Sequence, residues 1–419
     1  MNVRDNAGAH RRRRTVAKAV GVLVAAGAGA FAAALLWQTA VPDLDLPPVD
    51  PHAYFEQGEL ERIERFRTVT RGLWAAWITL ELVVLAALVW KASTLVAYVN
   101  RFAHGRVRTG VSLGLIAVLA VWGARLPVAA VWHWWERRYG LSRQSYPAWL
   151  GDQAISVGVR AALVCLAVAG AVALAVRLGR RWWVAGAPAL VAMATLFVLA
   201  QPVVIQPLFN RFEPLADRRL AARIERIADR MGVDVERVEV ADASRRTTAG
   251  NAYVAGIGPT RRVVLYDTIL DGRFGDDEVV AISAHELAHV ARRHLWKGLA
   301  WFALLAVPGL YLLARFTEPR GGLRDPALVP FALLLALAFF LATLPLQNAV
   351  SRRYEAEADW LALEATGDAA AAVELDGRLV RSSLGDPDPP AWTKLFLATH
   401  PSALDRIAMA EAFRAREAR

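Results

Sequence analysis

Cysteine is almost missing from this chain: Cys165 is the only one in 419 residues, and it sits in an apolar run. That excludes a disulfide framework and any cysteine-based metal centre, so a metal here must be held by histidine and carboxylate. Charge is scarce as well, with 21% Asp, Glu, Lys and Arg against 56% hydrophobic residues. A mean hydropathy of +0.31 is too apolar for an ordinary soluble protein. No internal repeat is visible, and no low-complexity segment beyond a basic N-terminus. The net charge of +10 does not indicate nucleic acid, because the arginines mostly flank long apolar runs instead of forming basic helices interleaved with aromatics.

The apolar runs are what the chain has in abundance. A spanning helix needs roughly 20 mostly apolar residues. Seven stretches meet or approach that length, at about 15–37, 73–99, 111–135, 155–176, 182–205, 297–316 and 326–346. The first follows Arg11–Arg14 as a signal peptide would. Its apolar part is long, however, and Gln38-Thr39-Ala40 is a poor cleavage site, so it reads as a retained span. Trp132, Trp134 and Trp135 close the third span as interfacial anchors. Glu81, Arg125 and Arg160 are the deepest charges, expected to pair, to lie near an interface, or to face a bundle interior or water-filled cavity. The N-terminal side carries 16 Lys and Arg in its short loops and the opposite side 7. The positive-inside rule then sets the N-terminus in the cytoplasm, with 206–296 and the tail facing outward.

The polar segments carry the chemistry. Asp276 to His294 reads as one helix, with acids in its first turn and Arg292, Arg293 and His294 at its end. Within it, Ala284-His285-Glu286-Leu287-Ala288-His289 holds an H-E-x-x-H motif. Positions four apart share a helix face, so His285 and His289 can aim at one metal ion, while Glu286 sits where a general base belongs. After the seventh span the helix continues to Gly367, with Glu355 and Asp359 on one face and Glu357 pointing away. His289 lies just before the sixth span and Glu355 just after the seventh, so both meet at one membrane face. Two histidines and one carboxylate make a zinc site with a position left open. The competing reading makes Glu355 and Asp359 a solvated acidic face paired with Arg352 and Arg353. Upstream, Leu220 to Met231 has helical spacing with Gly232 as cap. Val235–Val240, Asn251–Ile257 and Arg262–Tyr266 read as strands of a short antiparallel sheet. His294 reads as a helix-end charge partner, and His400 before Pro401 as a loop residue ahead of a last helix carrying Arg406.

Several segments together resemble the zinc metallopeptidase family of the type I CAAX prenyl protease, with the heat-shock protease HtpX more distant. They are Gln206–Leu215, Asn251–Ile257, Arg262–Leu270, His285–His289, Ser351–Asp359 and His400-Pro401, running in family order from about 200 to 410. The resemblance implies His285, His289 and Glu355 as ligands of one zinc ion, and Glu286 as the catalytic glutamate. It implies Asp359 as a proton donor, Asn251 as an edge-strand residue holding the substrate backbone, and His400 as a substrate contact near the scissile bond. It also implies a large water-filled chamber among the spans. Prenylated CAAX substrates belong to eukaryotes, whereas this Arg- and Ala-rich chain reads as bacterial, so the family name is not taken as its substrate. The eukaryotic relatives face their site to the cytosol, opposite to the loop charges here.

The expected fold is mostly α: a polytopic seven-helix membrane bundle with an inserted small α+β lobe of the zincin type. Its parts are 1–72 (basic N-terminus, first span and polar loop), 73–205 (spans two to five), 206–296 (the lobe), 297–349 (spans six and seven) and 350–419 (the helical tail). The expected function is zinc-dependent endopeptidase action on peptide or membrane-associated protein substrates at the lipid bilayer. A transporter or channel with an incidental motif is the alternative, as is a catalytically idle scaffold.

Overall fold

The structure is a computed structural model that describes residues 23–24 and 26–418. Arg11–Arg14 and the first part of the span expected at 15–37 lie outside the described residues. Helix α1 (Ala26–Trp37) is short and apolar, and an irregular segment with one 3₁₀ turn at Pro51–Ala53 links it to α2 (Gln57–Trp90). There follow α3 (Ala92–Val99), α4 (Arg106–Arg138), α5 (Tyr146–Leu178), α6 (Trp182–Ala200) and α7 (Gln206–Phe209). The segment 57–72, expected as polar loop, is in fact the start of α2. The Glu59 carboxylate accepts from the Glu56 N–H at 3.0 Å and caps the helix that early.

Among the described residues, five stretches are long and apolar enough to cross a membrane: Gln57–Trp90, Arg106–Arg138, Tyr146–Phe209, His294–Arg320 and Pro326–Thr366. The third runs for 64 residues and takes in two of the expected spans. Its chain reverses at Gly179, where φ is 56°, and Ala175 and Trp182 bury each other across the turn. Helices α5 and α6 therefore pack side by side. Deep in the bundle Arg125 meets Glu81 at 2.5 Å, donates to the Trp77 carbonyl at 3.1 Å and lies over the Trp77 ring. A charge in an apolar layer is tolerable when paired and hydrogen-bonded in this way.

The polar lobe contains β1 (Phe212–Pro214), α8 (Arg218–Arg230), β2 (Arg237–Ala241), β3 (Ala252–Ala255), β4 (Arg262–Tyr266) and α9 (Asp276–Ala291). The sheet order is β1-β2-β4-β3, and β2 and β4 are parallel. The expected antiparallel sheet is thus mixed. β3 and β4 form a hairpin, and the connection after β2 carries β3 to the far edge, so β4 meets β2 in the same direction. Alternation then works as a pleat requires. Val263 and Leu265 bury against Leu220, Ile224 and Leu287 of α8 and α9, while Val264 faces the other side with Ala241 and Ala255.

Helix α9 stops at Ala291, short of the expected His294. Arg293 adopts φ 56°, ψ 37°, and α10 (His294–Thr317) begins immediately. The remainder is α11 (Val329–Thr366, capped by Gly367 at φ 68°), α12 (Ala369–Ser383), α13 (Ala391–Phe396) and α14 (Ala403–Glu417). Helix α11 runs without a break from the apolar layer into the lobe, where it packs along α9.

Gly256, at φ 84° after β3, is held in a tight turn where a Cβ would run into the Thr260 carbonyl. Gly256→Ala is expected to cost upward of about 1 kcal/mol and to lower the thermal midpoint in detergent. Gly58→Ala, in open space within α2, should leave it unchanged or raise it. Equal midpoints for Gly256→Ala and wild type would contradict this account of the turn.

Candidate active site

Two helices build the site. His285 and His289, one turn apart on α9, face Glu355 on α11. The Nε2 atoms of the two histidines are 3.1 Å apart, and Glu355 Oε2 lies 3.2 Å from the first and 3.4 Å from the second. Three donors at these separations match the edges of a tetrahedron with bonds of about 2.0–2.1 Å, the zinc geometry. The donor set also suits zinc, being two imidazoles, which bind a metal in their neutral form, and one carboxylate.

Each imidazole turns its other nitrogen to a partner. His285 Nδ1 is 2.8 Å from Asp359 Oδ1, and the Arg406 guanidinium donates to the same carboxylate at 2.7 and 2.9 Å. Arg406 also approaches Asp376 Oδ1 at 2.6 Å. That last contact is an ion pair by distance but lacks hydrogen-bond geometry. Burial, with the charge of Asp359 nearby, lifts the Asp376 carboxyl to about 7 against the pull of Arg406. Burial would lower His285, but the Asp359 carboxylate outweighs it and raises the imidazole to about 10. An outer carboxylate adds ligand basicity in this way. On the other side, His289 Nδ1 is 2.8 Å from His294 Nδ1, and His294 Nε2 is 2.8 Å from Glu357.

In front of the donors lies a cavity of about 790 Å³. Its polar wall includes Asn251, His285, Glu286, His400 and Arg406, and its apolar wall Trp74, Ile78, Trp132, Phe340 and Leu344. Burial holds the Glu286 carboxyl above the ordinary glutamate range. Asn251 immediately precedes β3, one of the two edge strands of the sheet. His400 is 59% exposed, with Nδ1 2.9 Å from Glu355 Oε2. The segment that carries it is tied down at several points. Arg67 donates to the Leu384 carbonyl at 2.5 Å, Arg71 pairs with Asp386, and Asn348 donates to the Leu395 carbonyl at 3.0 Å. Arg352 holds the Lys394 and Ala398 carbonyls at 2.5 and 2.8 Å, and Arg353 holds the Trp37 carbonyl. These two arginines are therefore committed elsewhere, and Glu355 and Asp359 do not form a solvated face with them.

All seven residues singled out in the sequence lie in or around this one site. Asp359, expected as a proton donor, stands behind His285 with both oxygens engaged and does not line the cavity. Arg406 and Asp376 were missed as partners of the site. The available signal was weak: a polar residue on the apolar face of α12 and an arginine one turn into α14.

Residues 214–414 match peptidase family M48, and residues 64–211 match the CAAX prenyl protease N-terminal region of five membrane helices. The chain is 30% identical over 376 residues to the uncharacterized metalloprotease YhfN of Bacillus subtilis, covering 86% of this chain and 88% of that protein. It is 30% identical over 236 residues to a CAAX prenyl protease 1 homolog of Oryza sativa, covering 52% of this chain and 53% of that one. Its match to CAAX prenyl protease 1 of Saccharomyces cerevisiae is 41% identical over 95 residues, 22% and 21% of the two chains. The crystal structure of S. mikatae Ste24p superposes with a TM-score of 0.76 at 20% identity, over 92% of this chain and 96% of that one, and so shares its fold. Nothing in these likenesses favours a transporter or an idle scaffold. From the match along almost the whole length of both chains, this protein belongs to peptidase family M48 and is a membrane metalloprotease.

Proposed function

We propose that the chain holds one zinc ion between His285, His289 and Glu355 and hydrolyses peptide bonds presented in the adjoining cavity. The observation that carries this is the convergence of the three donors at 3.1–3.4 Å beside a carboxylate, Glu286, that lines the cavity. Zinc, when bound, acidifies water and polarises the scissile carbonyl. Glu286 takes the proton of the attacking water and hands it to the leaving amine, a task for which a raised pKa suits it. His400, exposed at the rim, donates a hydrogen bond to the substrate carbonyl as charge builds there. Asp359 keeps the His285 imidazole oriented, in place of the proton donation that the family resemblance implies.

The unpaired side of β3 receives an extended substrate by strand addition, with Asn251 fixing its backbone. Such binding reads backbone more than side chains. The apolar wall of the cavity accepts a hydrophobic or lipid-bearing end, so peptides and membrane-associated proteins form the substrate class, and prenylation is not required. Seven spans are proposed: the stretch at 15–37 together with α2, α4, α5, α6, α10 and α11. The loop charges then set the lobe on the extracytoplasmic side.

Purified wild type and Glu286→Gln should each bind about one zinc. Only wild type should cleave peptides efficiently, with the variant slower by about 10²–10⁴-fold. A wild type without zinc would overturn the reading. Orientation is checked with one introduced thiol in place of the native one. With Cys165→Ser and Glu225→Cys on exposed α8, a membrane-impermeant maleimide should label intact cells. Labelling only after lysis would set the lobe in the cytoplasm.

A further inference from the structure

Glu357 is fully buried, two residues past Glu355 and turned to the other side of α11. Four donors surround it. The Ala40 N–H and Arg292 Nε reach Oε1 at 2.8 and 2.7 Å, while His294 Nε2 and Lys297 Nζ reach Oε2 at 2.8 and 3.4 Å. An ion-pair role at the break between α9 and α10 accounts for the two cations. It does not account for His294, whose other nitrogen lies 2.8 Å from Nδ1 of His289.

The protons along this line can be placed. His289 points Nε2 at His285 and Glu355, so binding a metal through that atom requires its proton on Nδ1. This N–H faces His294 Nδ1, which must therefore accept. The His294 proton then sits on Nε2, where Glu357 Oε2 accepts it. Glu357 cannot donate in its ionised form, so the arrangement is satisfied in one direction only. The ring plane of His294 is fixed as well, stacked on Tyr354 at 4.7 Å and 8°. Tyr354 in turn donates to the Leu36 carbonyl at 2.6 Å.

We infer that His294 and Glu357 are positioning residues that fix the tautomer and orientation of the metal ligand His289. The inference rests on the reading of His289 as a zinc ligand. His289 thus has a partner as definite as the one Asp359 provides for His285, built from an imidazole and a carboxylate in series.

The test is zinc affinity, by chelator competition on the purified full chain, for wild type, His294→Phe and His294→Asn. Both variants give up the contact with Glu357, so any loss of metal-free stability is common to them. Only asparagine keeps an oxygen acceptor near the place of Nδ1. His294→Phe keeps the ring on Tyr354 but leaves the His289 N–H unpaired, and should weaken zinc binding by about 10–100-fold. His294→Asn should recover most of that loss. Wild-type affinity in His294→Phe, or equal losses in both variants, would overturn the inference. A wild type that binds no zinc would instead defeat the zinc-peptidase reading beneath it.

Discussion

The packing of α9 along α11 is the constraint on which the site depends. Each helix alone offers side chains at fixed angles, and neither completes a metal centre. α9 gives two imidazoles one turn apart, and α11 gives three acids within five residues. Because a helix turns about 100° per residue, Glu355 and Asp359 share the face toward His285, while Glu357 looks toward the start of α10. One interface thus supplies a candidate metal ligand and the outer partner of His285, and sets Glu357 against His294, the neighbour of His289 on α10.

Much of this was legible from residue spacing. Period-four pairs on long helices survive into the structure because they need only local geometry, and His285, His289, Glu355 and Asp359 are of that kind. The β-strands were also legible at the level of alternation. What could not be read was set by contacts distant in sequence. The parallel pairing of β2 with β4 follows from where the connection after β2 leads. The end of α9 carries no glycine or asparagine to mark it. Arg293 adopts a left-handed conformation there because Arg292 and His294 are both held by Glu357, more than 60 residues away. Arg406 and Asp376 belong to the same class, each unremarkable in its own helix.

Two lines of buried charge leave the donor triad, one through the outer nitrogen of His285 and one through that of His289. One runs through Asp359 to Arg406 and Asp376, tying in α12 and α14. The other runs through His294 to Glu357 and reaches the segment after α1. Removing one member of such a buried set costs more than the set contributes as a whole, because an uncompensated charge is left behind. Helices α12 and α14 and the segment after α1 are thereby coupled to the same centre, although none of them contributes a donor to the triad.

The continuity of α11 has a further consequence. From Leu346, where the apolar stretch ends, to Glu355 the helix is unbroken. Nine residues at about 1.5 Å each put Glu355 about 14 Å along the axis from the end of the apolar stretch. An extended peptide covers that distance in about four residues. The helix is therefore a rigid spacer between the apolar stretch and the triad: under the proposed function, a substrate anchored in the bilayer would be cut a few residues from its anchor, at a distance set by the length of α11.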